Sequence, residues 1–208
     1  MSTRELGKAD RRARIHAAAR DLFAERGYDG TTIRAIAARA GVGTGTVLLY
    51  ATSKADLLIA LFADELARAL DAQLDTLPEG ALEDELAHLF RGFYARYAEQ
   101  PAVFRAYIRE TFALPATVDD PYDAISRTFV ARLVARIEAH RAELRPDVDP
   151  TVTAFACFGV YLVLVSQYLR DPGPVDVAVA TLRAMIGQLL RPLRLPQPVR
   201  PSLETPGG

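Results

Sequence analysis

The stretch "TTIRAIAARAGVGTGTVLLYATSKADLL", residues 31–58, decides how the rest of the chain is read. Thr31 or Thr32 can cap a short helix with the inner face Ile33, Ile36, Ala37 and Ala40, and Gly41 stands where helices end in the left-handed conformation. Only the residues around Gly41, Val42 and Gly43 separate it from the next helical run. Two short helices joined by a tight glycine-containing turn are the pattern of a helix-turn-helix. Ala37 is small enough to let the partner helix approach, and Val42 and Val47 supply apolar anchors between the two. Residues 44–50 then form the helix whose N-terminal part enters a major groove while the preceding helix crosses the backbone. Gly43, Thr44, Gly45 and Thr46 allow close approach, and their amides and hydroxyls suit phosphate oxygens. Ser53 and Asp56 form an S-x-x-D capping box before the run ADLLIALF. The Tyr50 hydroxyl and the Lys54 ammonium are candidates for phosphate contacts; packing for Tyr50 and solvation for Lys54 are equally open readings.

Upstream, Ile15, Ala18, Ala19, Leu22 and Phe23 follow helical spacing, and the pattern stops near Gly27 and Gly30. Charge is uneven along the chain. Residues 1–56 carry a net +4, and the remainder offsets it to give −1 overall. A basic head on an acidic body fits a polyanion held by the head alone, or a solvated charged surface.

These residues carry a family resemblance over positions 11–62. "RIHAAARDLFAERGYDGTTIRAIAARAGVGTGTV", residues 14–47, followed by Tyr50 and SKADLL, resembles the N-terminal domain of the TetR family of bacterial transcriptional regulators. The resemblance implies an all-helical homodimer on a palindromic operator, with repression relieved when a small molecule enters the C-terminal domain. It places Thr32 and Arg34 at the phosphate-facing start of the second helix. It places Gly43, Thr44, Gly45, Thr46 and Leu48 on or near the DNA face, with Tyr50 and Lys54 at phosphates. The chain departs from the family pattern after Val47. Leu48 and Leu49 stand where an aromatic and a polar or basic residue are common, and Ala51 and Thr52 where phenylalanine and proline are common. An aliphatic side chain reads a thymine methyl but makes no hydrogen bond to a base edge. Sequence preference then leans on A·T-rich sites, backbone amides or DNA shape. Leu49 is expected in the core of the short helix, and Leu48 is open between core and DNA.

The acidic remainder carries no comparable motif. Leu82, Leu86, Leu89, Phe90, Phe93 and Tyr97 outline one helix broken near Pro101; Val103, Phe104, Tyr107 and Ile108 outline another that ends around Pro115. Ile125, Phe129, Leu133 and Ile137 outline a longer one. Because aromatics concentrate here, an apolar effector cavity is sought among Phe90, Phe93, Tyr94, Tyr97, Phe104, Tyr107, Phe129, Phe158 and Tyr161, although stripes of this kind are more often plain core. The tyrosines are the better candidates, since each hydroxyl wants a partner.

"DPTVTAFACFGVYLVLVSQYLRD", residues 149–171, opens on Asp149 as cap and Pro150 in the first turn, and is apolar nearly all round. A helix of that kind needs cover on every side. With the helix around VDVAVATLRAMIGQLL it can build a four-helix dimer interface, or serve as the core helix of a monomer. The apolar run at 155–165 falls short of the roughly 20 residues that span a bilayer, so no membrane contact is expected.

The lone Cys157 allows neither an internal disulfide nor a cysteine metal cluster, and the N-terminus has no apolar leader, in keeping with a cytoplasmic protein. His16, His88 and His140 fall on separate predicted helices without metal-ligand spacing, and no P-loop, G-x-S-x-G or dinucleotide fingerprint occurs. No enzyme activity, catalytic residue, cofactor or metal is expected. The expected architecture is all-α: a helix-turn-helix DNA-binding domain over residues 1–53, a helical effector-binding and dimerisation domain over 54–191, and a disordered proline-rich tail over 192–208. The expected function is a repressor-type transcriptional regulator whose partners are an operator in double-stranded DNA, an apolar or aromatic effector, and a second copy of the chain. The competing class is a helical small-molecule binder without specific DNA binding.

Overall fold

The computed structural model describes residues 3–113 and 121–195. They form nine α-helices among the described residues: α1 (Thr3–Arg26), α2 (Ile33–Ala40), α3 (Thr44–Leu48), α4 (Lys54–Asp75), α5 (Leu82–Glu99), α6 (Pro101–Ala113), α7 (Pro121–Ala139), α8 (Pro150–Tyr168) and α9 (Val175–Leu190). The end around Pro115 and the side chain of Ile125 lie outside the described residues.

Local chemistry sets most boundaries. The Thr32 hydroxyl accepts from Ala35 N–H at 3.1 Å and caps α2. Gly41 closes the same helix at φ +66°, a conformation that costs a residue with a Cβ but not glycine. Val42 N–H then donates back to Ala37 O at 3.0 Å. Ser53 Oγ accepts from Asp56 N–H at 3.0 Å at the head of α4, and Asp149 Oδ1 accepts from Thr151 N–H at 2.8 Å at the head of α8. Pro101 and Pro150 open their helices, where the missing amide costs nothing.

The short helix α2 packs on α1 and α3 on α2, and α4 runs from this unit into the bundle of α5 to α9. One buried apolar cluster spans both parts, through Phe23, Ile36 and Val47, then Leu58 and Phe62 on α4, to Phe90, Phe104, Phe129 and Tyr161. Helix α4 starts at Lys54, and the apolar core continues along it from one part into the other.

Two expectations are corrected. Residues 192–195 are folded: Pro192 and Leu193 complete a 3-10 turn, Arg145 N–H donates to Leu193 O and Leu195 N–H to Glu143 O, both at 2.9 Å. As far as Leu195 the stretch after Arg191 therefore pairs with the loop after α7; residues 196–208 lie outside the described residues. Leu49, expected in the core, is 84% exposed, because Val47 at 0% takes the single inward position of the short helix. Leu48 is 45% exposed.

One face of α8 is bare within the single chain. Val152, Phe155 and Val163 are 66%, 59% and 59% exposed, and Val177 of the neighbouring α9 is 60% exposed. By length and composition α8 is apolar enough to cross a membrane, yet its other faces pack on α7 and α9.

Candidate nucleic-acid interface and its neighbouring cavity

Gly41, Gly43, Thr44, Gly45 and Leu48 are exposed, and Thr46 is partly so. Of the five residues of α3, Thr44, Gly45 and Leu48 are thus exposed and Thr46 partly so, and the helix is anchored by the buried Val47. Arg34 is exposed on α2, and no hydrogen bond or ion pair engages its side chain among the described residues. Thr32 uses its hydroxyl as the α2 cap. Tyr50 is half-buried, and its hydroxyl donates to Lys8 O at 3.2 Å.

The structure places Lys54 apart from this group. Its Nζ donates to Tyr28 O at 2.8 Å and Thr31 O at 2.9 Å and lies 4.1 Å from the centre of the Tyr28 ring. Here it fastens α4 to the turn between α1 and α2, where its ammonium satisfies two carbonyls and a ring face together. Sequence spacing shows that Lys54 begins a helix, but not that two carbonyls 23 and 26 residues upstream surround it.

The first half of α1 enlarges the surface. Lys8, Arg11 and Arg14 line a concave face together with Glu5, Val42, Gly43, Thr46, Leu49 and Tyr50. Arg14 is fixed there, donating to Ala40 O at 3.2 Å and pairing with Asp10 at 3.2 Å. Lys8 and Arg11 have neither hydrogen bond nor ion pair through their side chains among the described residues. Cations of this kind lose least when they exchange water for phosphate. The basic count along the sequence hinted at this arm; its placement beside α3 required the fold.

An apolar cavity of about 30 Å³ lies in the helical bundle, lined by Leu66 of α4, Phe93 and Tyr97 of α5, Tyr107 and Ile108 of α6, Ser126 and Phe129 of α7, and Phe158, Tyr161 and Leu162 of α8. Six of the nine aromatics singled out from sequence line it: Phe93, Tyr97, Tyr107, Phe129, Phe158 and Tyr161. The other three stand behind its wall. Phe90 stacks on Tyr161 at 4.4 Å, Phe104 sits edge-on to Phe62 at 4.5 Å, and Tyr94 turns away to Tyr168 at 5.2 Å. Sequence reading missed Leu66, Ile108, Ser126 and Leu162, which share their helical spacing with ordinary core residues. Across the lining, the Tyr97 and Tyr161 hydroxyls meet at 2.5 Å. Cys157 is buried on α8, and burial pushes its thiol up to about 12, so it stays protonated. Among the described residues no three His, Cys, Asp or Glu side chains converge as metal ligands.

Among the described residues, two groups of ion pairs that join the bundle to α1 and the α1–α2 turn sit one residue from this lining, and a further pair, Arg12 with Asp64 at 3.5 Å, lies two residues from it. Glu65, beside Leu66 and 6% exposed, accepts from Arg20 Nε of α1 at 2.9 Å and from Arg96 Nε of α5 at 2.7 Å. Arg96 is the neighbour of Tyr97. Arg109, the neighbour of Ile108, reaches Asp29 at 3.0 Å and lies over the Tyr28 ring at 5.6 Å.

Comparison with known proteins adds an independent line. The family model described as bacterial regulatory proteins of the tetR family matches residues 15–61. The fatty acid metabolism regulator protein of Bacillus subtilis is 35% identical over 68 residues, 33% of this chain, which spans about a third of that relative's length (35%). The HTH-type transcriptional repressor KstR of Mycobacterium tuberculosis is 30% identical over 147 residues, 66% of each protein. The crystal structure of Thermus thermophilus FadR, a TetR-family transcriptional repressor in complex with lauroyl-CoA, has a TM-score of 0.71 at 22% identity, covering 95% of this chain and 100% of that one, and so shares the fold.

Proposed function

Because the chain belongs to the TetR family of bacterial regulatory proteins, we propose that it acts in the cytoplasm as a homodimeric repressor of transcription, holding a palindromic operator until a small apolar effector releases it. The observation that carries this is the mounting of an exposed five-residue helix behind a left-handed glycine turn on the same core as an apolar cavity. No catalytic step and no cofactor enters.

In this reading Thr44, Gly45, Thr46 and Leu48 face the bases, while Thr32, Arg34, Gly43 and Tyr50 meet the backbone with Lys8 and Arg11. Lys54 supports them by fixing the turn on which α2 stands. Pairing the bare faces of α8 and α9 with those of a second copy buries Val152, Phe155, Val163 and Val177 in a four-helix arrangement, and its twofold axis matches an inverted repeat.

The effector cannot be accommodated without movement. Ligand pockets hold roughly 300–1,000 Å³, whereas about 30 Å³ is open here. A bound effector therefore parts α4, α5 and α6, and the Glu65 and Arg109 ion pairs carry the displacement to α1 and the α1–α2 turn. Since the Thermus thermophilus neighbour is seen with lauroyl-CoA, long acyl thioesters are the first effectors to test; the lining of rings and aliphatic chains suits an acyl tail.

The test is selection of genomic fragments by the purified protein at two salt concentrations, with and without lauroyl-CoA. An inverted repeat enriched at both salts, and released by the thioester, is the expected result. Retention without a common sequence overturns the operator reading and leaves the small-molecule binder. Enrichment that the thioester does not alter overturns the effector class alone.

A further inference from the structure

We infer that Leu49 is a specificity-determining residue that reads the C5 methyl group of thymine in the operator, which rests on the DNA-binding reading above and adds the base chemistry it selects. A single exposed leucine is ordinary on a protein surface. Leu49 is not in an ordinary place: it is 84% exposed, follows the 45% exposed Leu48, and lies on a concave face whose other side chains include Lys8, Arg11 and Arg14. Nothing in the packing requires a leucine there, since Val47 at 0% exposure already anchors the short helix.

The backbone aims it outward. Leu49 has φ −76° and ψ −17°, so it continues the helical register of α3 and falls on the same side as Thr46, three residues earlier. With Lys8 and Arg11 seated on phosphates, that side turns toward the floor of a major groove. The groove floor presents hydrogen-bonding groups at every base pair, and an isobutyl group laid over any of them buries a polar atom without a partner. The thymine methyl is the exception, because contact with it removes apolar surface from water on both partners.

The experiment begins with an operator selected from a random synthetic library, whose DNA is unmethylated, so that thymine supplies every C5 methyl. Each thymine of that duplex is then replaced in turn by deoxyuridine, which removes the methyl and keeps every hydrogen-bonding atom. Affinities are measured by fluorescence anisotropy for the wild type and for Leu49→Ala, whose exposed position spares the fold. At one thymine in each half-site the wild type loses about fourfold, the effect of about one buried methyl group, and about fifteenfold when both half-sites are changed. Leu49→Ala binds the thymine duplex more weakly by a similar factor and does not distinguish thymine from uracil there. The inference is overturned if the wild type binds every uracil duplex as tightly as the parent, if Leu49→Ala keeps the full uracil sensitivity, or if the contacted positions hold no thymine. A library that yields an inverted repeat but no uracil effect leaves the DNA-binding reading standing; a library that yields no common sequence overturns both.

Discussion

The exposed turn between α2 and α4 and the aromatic interior of the bundle solve opposite problems. Between Gly41 and Tyr50 only Val47 is fully buried, and the shape is held by a left-handed glycine and backbone hydrogen bonds over two to five residues. Around Phe129 the reverse holds: rings from α5, α7 and α8 pack at 4.7 Å to Phe90, 4.9 Å to Phe93 and 5.8 Å to Phe158, leaving about 30 Å³ open. The solvent-facing turn is thus specified by a few backbone positions, whereas the packed interior is specified by many side chains at once. Stability and recognition are expected to separate accordingly.

The largest effect should come from Phe129→Ala. Removing a ring that is 1% exposed costs about 4 kcal/mol, read by chemical denaturation, since the neighbours only partly collapse into the space. DNA affinity measured where the variant is still folded should be unchanged. A parallel loss of affinity would show that the two regions are not separable.

Glu65→Gln comes next. It removes the buried carboxylate that Arg20 and Arg96 share, leaving Arg96 its pair with Glu99 and Arg20 39% exposed, and should cost about 2 kcal/mol. The sharper readout is the effector response: release of DNA by lauroyl-CoA should weaken more than DNA binding itself. Equal losses would reduce Glu65 to a structural tie.

Gly41→Ala inverts the pattern. A Cβ at φ +66° meets nothing closer than 3.7 Å, so only the backbone strain is felt, about 1 kcal/mol. Operator affinity should nevertheless fall more than tenfold, because α3 depends on that turn for its direction. Retained affinity would mean that the turn tolerates another geometry.

The smallest effect concerns pH. Glu85, 4% exposed on α5, lies 2.7 Å from Arg136 Nε and 3.1 Å from His140 Nε2, while His140 Nδ1 is 2.7 Å from Glu143. Burial opposes the imidazolium, but hydrogen bonds and charge from Glu143 and Glu85 outweigh it and raise the pKa above the ordinary 6.5. A raised folded-state pKa contributes stability that is fully present below pH 6.5 and lost as pH rises through the folded value. The stability difference between wild type and His140→Gln should therefore shrink from pH 6 to pH 9 in denaturant titrations. A constant difference would remove His140 from the account.

What could be read from the chain alone was the chemistry confined to neighbours in sequence. Thr32 and Ser53 bond amides three residues on, Gly41 turns the chain by its own φ, and Asp149 with Pro150 starts α8 within one turn. Such features need no knowledge of the rest of the molecule, which is why the helix-turn-helix was legible from residues 31–58, along with the long apolar helix behind it. Only the tertiary structure decided that Leu48 and Leu49 stay outside while Val47 alone points inward, since five helical residues carry too little periodicity to exclude a second core position. It alone brought Lys54 onto carbonyls 23 and 26 residues upstream, and Glu65 between arginines 45 residues before it and 31 after it. It alone separated the rings that line the cavity from those that back it, because a ring buried against another helix and a ring buried beside a void share the same spacing in the sequence.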